Sequence, residues 1–427
     1  MAGNVGERRG FLRTNPGRFR EGYLMSDSCT SRLSSIAARP FTVELSDQIL
    51  DDLRLRLSHT QIAPDIANDD WSYGVSGRYL GDLVRYWRDE FDWRAQERKI
   101  NEYPHFTTTI DDLPIHFIHV RGKGPNPTPL ILTHGWPWTF WDFHKLIGPL
   151  TDPVAYGGAA EDSFDVVIPS LPGFAFSNPM NRAGFTIWQV ADIWVTLMRD
   201  VLGYERFGAH GGDYGVMVTA QLGHKFPEHM IGLHFAPRPL PLQVWNTDRP
   251  WADVFSGTLP DGVGDRAAFI EYERRKVGHL VAHVLNPQTL AYALHDSPAG
   301  LAAWLLERRR SWSDCHGDVE TVFTRDELLT NFTIYWATKS FVHTARLYND
   351  NARYGWKPSH DRQPIVEAPT AVTLFRKDLP PGAKMDWMSS YFNLQALTES
   401  PTGGHFAAAE EPDRVVEDIR SFFRGRY

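Results

Sequence analysis

The sequence predicts an α/β protein with a mostly parallel central sheet, flanked by helices and interrupted by a helical insertion. Between residues 114 and 235, short apolar runs alternate with longer stretches of helical periodicity, as strands and crossover helices do in parallel sheets. A proline-rich stretch then breaks this rhythm, and strand-like runs return only near residue 370. One sheet built in two parts, with a helical segment between them, accounts for both observations.

The composition is that of an ordinary globular protein, since 42% of the 427 residues are hydrophobic and 22% are charged. The net charge of -8 argues against nucleic acid as a main partner. The two cysteines, Cys29 and Cys315, are too few and too far apart for a disulfide framework or a metal site, which favours a cytoplasmic location. The oligomeric state is left open, with a homodimer among the options.

Two segments precede the sheet. Residues 1–40 are polar and arginine-rich, and they lack the apolar core of a signal peptide or membrane anchor, so we expect a disordered leader. Residues 41–105 are predicted to form an N-terminal arm that wraps the core. Apolar residues recur there at four-residue spacing from Leu45, and Ser46 can cap the start of the predicted helix.

Residues 106–236 and 366–427 are predicted to hold the two parts of the sheet, in an order of strands and helices that alternates along the chain. Residues 237–365 lie between them, where prolines and a glycine-rich loop at residues 256–264 accompany packed apolar helices, and we predict a lid there. The predicted strands are residues 114–120, 129–133, 164–168, 230–235, 370–375 and 393–397, with further helices at residues 186–202 and 412–423.

The stretch from residue 207 to residue 215 is typical of a strand, a tight turn and a helix start, with Gly211 and Gly215 on either side of Asp213. Hydrolases of the α/β class place their nucleophile on such an elbow, where small neighbours are needed. The usual serine is an aspartate here. An aspartate that attacks an sp3 carbon leaves an ester that water can cleave, so the motif indicates an epoxide or alkyl halide substrate. Aspartate is also common in turns and as a helix-capping residue. The motif alone therefore does not show whether Asp213 is a nucleophile or only a residue of the turn.

A nucleophile on this scaffold needs an orienting acid and a histidine base, which follow it in that order along the chain. His405 lies in a glycine loop before the last helix, and Asp378 follows a predicted strand. Glu399 and Glu367 compete with Asp378 for the role of the acid. None of these residues requires a cofactor or a metal ion.

Two backbone N–H groups are candidates for an oxyanion hole. The turn at residues 134–137 follows a buried strand and can present the N–H of Trp136 toward the elbow. The N–H of Tyr214 comes directly after the nucleophile. We therefore predict that both donors stabilise negative charge on the carboxyl group of Asp213.

Several motifs resemble the microsomal epoxide hydrolase family, including its N-terminal segment, from about residue 41 to the C-terminus. The resemblance implies an α/β-hydrolase fold with a helical lid, hydrolysis of an epoxide to a vicinal diol without a cofactor, and Asp378 as the acid. The expected partners are a lipophilic or aromatic epoxide and water. The polar N-terminus is similar to that of soluble bacterial-type members. The motifs are Asp70-Trp-Ser-Tyr-Gly74, Phe91-Asp-Trp-Arg94, Tyr103-Pro-His-Phe106, Ile115-His-Phe-Ile-His-Val120, His134-Gly-Trp-Pro137, Gly211-Gly-Asp213, Asp296-Ser-Pro-Ala-Gly-Leu-Ala-Ala-Trp304, Leu329-Thr-Asn331 and Gly403-Gly-His-Phe-Ala407.

The resemblance also implies two lid tyrosines that hydrogen-bond the epoxide oxygen. Tyr348 matches the second of them. The first falls, by its spacing to Asp296, on His279, which can donate a hydrogen bond as well. Tyr272 and Tyr292 are the alternatives for this first position.

Two other functions are weighed against epoxide hydrolysis. A haloalkane dehalogenase shares the Asp–His–acid machinery, but it commonly uses a tryptophan directly after the nucleophile, where this chain has Tyr214. A non-catalytic binder of lipophilic ligands would be expected to lack part of the machinery, whereas each role has a candidate residue here.

Overall fold

A nine-stranded mixed sheet forms the centre of the computed structural model, which describes residues 36–247 and 266–426. The strand order is β1-β2-β3-β5-β4-β6-β7-β8-β9. The pairings that join β1, β2, β3 and β5 are antiparallel, and all pairings from β5 to β9 are parallel. The predicted mostly parallel sheet is confirmed. The strands are β1 (Arg39–Phe41), β2 (His105–Ile110), β3 (Leu113–Val120), β4 (Thr128–Thr133), β5 (Phe164–Pro169), β6 (Phe207–Gly211), β7 (Met230–Phe235), β8 (Val366–Phe375) and β9 (Phe392–Ser400).

The central strands are buried on both faces. Every residue of β5, β6 and β7 is buried, because helices cover the sheet from either side. This burial explains why these strands appear in the sequence as continuous apolar runs rather than as alternating patterns. The carboxyl ends of β6 and β8 point to the same edge of the sheet, which brings the loops after them together.

Fifteen α-helices lie in the described ranges. They are α1 (Asp47–Ser58), α2 (Gly77–Asp89), α3 (Trp93–Ile100), α4 (His144–Thr151), α5 (Val190–Val195), α6 (Tyr214–Lys225), α7 (Arg266–Lys276), α8 (Gly278–Leu285), α9 (Pro287–Asp296), α10 (Pro298–Trp312), α11 (Arg325–Ala337), α12 (Phe341–Tyr354), α13 (Met388–Tyr391), α14 (Ala407–Glu410) and α15 (Pro412–Phe423). None of them is long and apolar enough to cross a membrane.

The N-terminal helices α1 to α3 pack against the lid as well as the core. Ser46 caps α1 by accepting a hydrogen bond from the backbone N–H of Ile49, as its position predicts. The indole N–H of Trp87 in α2 donates to the buried hydroxyl of Thr333 in α11 at 3.0 Å. The arm therefore fixes the position of a lid helix.

The lid consists of α7 to α12, inserted between β7 and β8. A buried ion pair joins it to the core, since the guanidinium of Arg309 in α10 donates to both carboxylate oxygens of Asp142. The hydroxyl of Tyr335 in α11 also donates to the carbonyl of Trp138 at 3.0 Å. Both contacts join a helix of the lid to the core.

The structure differs from the sequence-based expectations at the N-terminal boundary. Arg39–Phe41 already pairs with β2, so ordered chain begins before the predicted end of the leader. The antiparallel strands β1 and β2 were not predicted. The rest of the leader, residues 1–35, and the glycine-rich loop at residues 256–264 lie outside the described residues.

Candidate active site

Asp213 occupies the tight turn between β6 and α6. Its backbone has φ of 53° and ψ of -120°, a conformation that a non-glycine residue adopts at a cost. A Cβ at Gly211 would overlap the backbone of Gly215, and a Cβ at Gly215 would overlap the carbonyl of Thr133. Both glycines are therefore required for the turn that projects Asp213 from the sheet.

The imidazole of His405 lies between two carboxylates. Its Nδ1 is 3.1 Å from Oδ1 of Asp378, in hydrogen-bonding geometry. Its Nε2 is 3.2 Å from Oδ2 of Asp213, but at an angle that makes no hydrogen bond, and it has no other partner among the described residues. Nε2 is thus positioned to exchange a proton with a molecule beside Asp213.

The charges of the site set the protonation states that this arrangement needs. Burial disfavours the charged imidazolium of His405, but the carboxylates of Asp378 and Asp213 more than offset burial and raise its pKa to about 8. Burial also opposes ionisation of Asp378. The charges of His405 and Arg238 overcome it and hold the pKa of that carboxyl well below its usual range. Asp378 is therefore a permanent carboxylate that stabilises the protonated base.

The other oxygen of Asp213 lies against the backbone of the turn after β4. The N–H of Trp136 donates to Oδ1 at 2.7 Å. A Cβ at Gly135 would overlap the carboxyl group of Asp213, so this close approach needs glycine. Tyr214, the other predicted donor residue, is the first residue of α6 and directly follows Asp213.

Tyr348 and His279 lie above the nucleophile on lid helices α12 and α8. The ring of Tyr348 packs edge-on against the ring of Tyr214, with 4.9 Å between the ring centroids. The ring of His279 stacks on Trp136, with 5.1 Å between the ring centroids. Burial raises the pKa of Tyr348, so its hydroxyl keeps its proton. Burial, followed by the neighbouring His283, lowers the pKa of His279 well below its usual range. His279 is therefore a neutral imidazole with one N–H to donate.

These groups surround one cavity of about 220 Å³. It brings together the predicted side chains of the nucleophile, the base, the acid and both lid donors, and Tyr214 lines it too. Trp136 reaches the site through its backbone N–H. The lining residues are Asp213, Tyr214, Met217, Arg238, Leu240, Val244, Trp245, Tyr272, Lys276, Val277, His279, Leu280, Trp312, Tyr348, Asp378 and His405.

The alternative residues for the first lid donor and for the acid lie in different places. Tyr292 is 71% exposed and does not line the cavity, whereas Tyr272 does. Glu399 pairs with Arg376, and Glu367 pairs with Arg362, both at the surface. The hydrogen-bonded partner of His405 Nδ1 is Asp378.

Two cations of the site were not predicted from the sequence. Nε of Arg238 donates to Oδ2 of Asp378 at 2.8 Å, and Nζ of Lys276 lies 3.7 Å from its Oδ1. Arg238 comes three residues after β7, at the carboxyl edge of the sheet where functional groups gather. This position in the sequence could have identified Arg238 as a candidate for the site. Lys276 ends the basic helix α7, and nothing in its local sequence separates it from the exposed arginines before it.

Comparison with known proteins places the chain in a family. Residues 38–143 match the epoxide hydrolase N terminus family, and residues 128–316 match the alpha/beta hydrolase fold family. The chain is similar to epoxide hydrolase 1 of Oryctolagus cuniculus, with 34% identity over 407 residues that cover 91% of this chain and 89% of the relative.

Two solved structures resemble the fold over nearly the whole chain. The juvenile hormone epoxide hydrolase from the silkworm Bombyx mori matches with a TM-score of 0.74 and 28% identity, covering 91% of this chain and 94% of that one. The Aspergillus niger epoxide hydrolase matches with a TM-score of 0.74 and 28% identity, covering 92% and 97%. With its N-terminal segment, its α/β-hydrolase core and these relatives, the chain belongs to the microsomal-type epoxide hydrolase family.

Proposed function

We propose that this epoxide hydrolase forms its vicinal diol through a covalent ester on Asp213, which water activated by His405 then cleaves. The observation that carries the proposal is the position of the two carboxylate oxygens of Asp213. Oδ1 accepts a hydrogen bond from Trp136, and Oδ2 lies at the cavity beside Nε2 of His405. One oxygen is fixed and the other is available to attack.

In the first step, Oδ2 of Asp213 attacks a carbon of the epoxide ring and the C–O bond of that carbon breaks. The ring oxygen leaves as a developing alkoxide, which the hydroxyl of Tyr348 and the N–H of His279 stabilise by hydrogen bonds. Both donors keep their protons because burial disfavours the charged forms of these side chains. Oriented donors of this kind are worth on the order of 10²–10³ in rate each.

In the second step, Nε2 of His405 removes a proton from water, and the water oxygen attacks the carboxyl carbon of Asp213. The negative charge that develops on Oδ1 is stabilised by the N–H groups of Trp136 and Tyr214. The bond from the carboxyl carbon to Oδ2 then breaks, and Oδ2 takes the proton from His405 as the diol leaves. The ring oxygen takes up its proton from solvent, and the water oxygen stays in the carboxyl group of Asp213, which loses its remaining proton to solvent. General-base help contributes on the order of 10²–10⁴-fold, and Asp378 stabilises the imidazolium that forms.

The lining of the cavity favours an epoxide with an apolar body. Side chains such as Leu280, Trp245 and Trp312 form much of its wall and offer surface to an aliphatic or aromatic group. The dehalogenase alternative gains no support from the relatives. A cytoplasmic location and a homodimer stay predictions from the sequence.

The covalent step can be tested with the variant His405→Gln. It should still open the epoxide but stall at the ester, because the water lacks its base. Mass spectrometry of the intact protein after incubation with styrene oxide should then show an adduct, which peptide mapping places on Asp213. The variant Asp213→Ala should form neither adduct nor diol. Steady diol formation by His405→Gln without an adduct would contradict the role of His405 as base.

A further inference from the structure

Arg238 and Lys276 place two positive charges in the wall of the substrate cavity, beside the single carboxylate of Asp378. Arg238 donates from Nε to Asp378 Oδ2 at 2.8 Å, and Nζ of Lys276 is 3.7 Å from Oδ1. Both side chains line the cavity and are largely buried, with exposures of 23% and 12%. Arg238 already donates a hydrogen bond to Asp378, whereas Lys276 lies beyond hydrogen-bond distance of it.

The two side chains have more hydrogen-bond donors than their neighbours accept. An ammonium group has three N–H donors, and Nζ of Lys276 donates to the carbonyl of Trp312 at 3.2 Å while lying outside hydrogen-bond distance of Asp378. A guanidinium has five, of which Arg238 directs Nε to Asp378 and also neighbours the hydroxyl of Tyr272. Donor capacity therefore remains at the cavity surface.

The charge balance of the cavity changes during the proposed reaction. Among the described lining residues, the carboxylates are Asp213 and Asp378. They face Arg238 and Lys276 as well as His405, whose pKa is raised to about 8. Glu410 also attracts Lys276, but it lies outside the lining, and its carboxylate accepts three backbone N–H groups. Formation of the ester transfers the negative charge of Asp213 to the ring oxygen, and this charge is lost from the cavity once that oxygen has taken up a proton. Two buried cations then face one carboxylate, and an uncompensated buried charge is costly.

The nucleophile and the cationic pair lie on opposite sides of one imidazole ring. Nε2 of His405 faces Asp213, and its Nδ1 faces Asp378 with the pair behind it. Because Asp213 and Lys276 line the same cavity, a small molecule there can present an epoxide carbon to Asp213 and a second group to Lys276. Burial, with help from the nearby Arg238, lowers the pKa of Lys276, which an anion beside it would oppose.

We propose that the substrate is an epoxide that carries a carboxylate, which Lys276 and Arg238 bind while the apolar wall holds the rest of the molecule. This inference rests on the proposed function and adds the substrate class to it. The carboxylate replaces the negative charge that Asp213 loses on alkylation. The two cations also reduce the repulsion that an anionic substrate would otherwise meet at the anionic nucleophile.

The test compares 3-phenylglycidate with its neutral isostere, 3-phenylglycidamide, so that shape is constant and charge differs. The wild type should have a higher kcat/KM for the acid than for the amide. The variant Lys276→Met should lower the acid-to-amide ratio of kcat/KM by about tenfold, the worth of one hydrogen bond to a charged group. Lys276→Arg, which keeps the charge, should retain most of the preference.

The matched control is Arg274→Met, which removes a positive charge from the same helix at a side chain that is 76% exposed. It should leave the acid-to-amide ratio at the wild-type value. Equal kcat/KM for acid and amide in the wild type, or an unchanged ratio in Lys276→Met, would overturn the proposal and leave Lys276 as a partner of Asp378 only. Failure of the proposed function looks different, since the variant His405→Gln would then give no adduct on Asp213 with either compound, whatever the acid-to-amide ratio of the wild type.

Discussion

The acidity of His405 depends on two carboxylates, and only one of them keeps its charge through the reaction. In the proposed reaction, Asp378 stays ionised, whereas Asp213 becomes a neutral ester once the epoxide has opened. The pKa of about 8 in the free enzyme therefore belongs to a state in which both carboxylates are charged. In the ester intermediate, where the base must accept a proton, His405 has lost one source of stabilisation for its imidazolium.

We expect the rate of ester hydrolysis to rise with pH. The midpoint of this limb of the pH–rate profile should lie below about pH 8. Below this midpoint His405 is an imidazolium and cannot accept the proton of water; above it the base is neutral. Asp378→Asn should move the limb to lower pH, because the remaining charge that raises the pKa is removed. Single-turnover measurements of diol release as a function of pH give this midpoint for the wild type and for Asp378→Asn. A limb that moves to higher pH in Asp378→Asn would contradict this electrostatic account.

The donors in the lid make separate predictions. Tyr348→Phe and His279→Ala should each slow alkylation of Asp213 by about 10²-fold, the effect of removing one oriented donor. Stopped-flow fluorescence can follow this step, since Trp136, Trp245 and Trp312 surround the site. Tyr272→Phe is the control, because Tyr272 lines the same cavity. Full activity in His279→Ala together with a large loss in Tyr272→Phe would transfer the role to Tyr272.

At the scale of elements, the site depends on the turn between β6 and α6. The backbone of the elbow passes so close to β4 that Gly215 has no room for a side chain. Its sequence signal is strong because glycine is nearly the only residue that fits. The same argument applies to Gly135 beneath Asp213. Elements whose form is dictated by such close approaches can be recognised from the sequence.

Gly215→Ala should destabilise the protein by about 3 kcal/mol, the upper end of the cost of overpacking a site that cannot relax. The added methyl group would overlap the carbonyl of Thr133, which belongs to the rigid sheet. Chemical denaturation measures the free energy of unfolding. Gly81→Ala is the control: the nearest atom to its added Cβ is 3.8 Å away, inside helix α2. That variant should be more stable than the wild type by about 0.5–1 kcal/mol.

The antiparallel strands β1 and β2 were harder to predict than the central ones. β2 contains Phe106 and three consecutive threonines, without a continuous apolar run, because part of it is exposed. β1 has three residues and exists only through its pairing with β2. Such strands depend on a partner that is far away in the sequence, so local patterns do not indicate them.

At the scale of the whole molecule, arm, lid and core are joined by buried polar contacts. The ion pair of Arg309 and Asp142 lies between lid and core, and the same guanidinium donates to the carbonyl of Pro137 at 3.2 Å. Pro137 directly follows Trp136, whose N–H holds Asp213. The lid therefore supports the proposed oxyanion hole through one side chain.

Arg309→Met should destabilise the protein by about 3–5 kcal/mol, because it leaves the carboxylate of Asp142 buried without its counter-charge. Urea denaturation followed by tryptophan fluorescence measures the change. Arg325→Met is the matched control on the lid, since its ion pair with Glu320 is partly exposed. Its cost should be about 0–1 kcal/mol. Equal costs for the two variants would show that the ion pair between lid and core is not the critical contact.

The sequence by itself determined the class of the fold and predicted the chemical roles of the site residues. Apolar runs alternating with helices specify a parallel sheet, because both faces of such strands are buried. Asp213 between glycines, followed in order by Asp378 and His405, indicates an alkylated aspartate. These features depend on local geometry or on chain order, and both are present in a linear sequence.

Tertiary structure alone decided which groups meet. It separated Asp378 from Glu399 and Glu367, placed His279 above Trp136, and brought Arg238 and Lys276 to one carboxylate. Each of these contacts joins segments that are distant in the chain. Side chains of the same type are alike in a sequence, and only burial and distance distinguish a cation in the cavity from one in solvent.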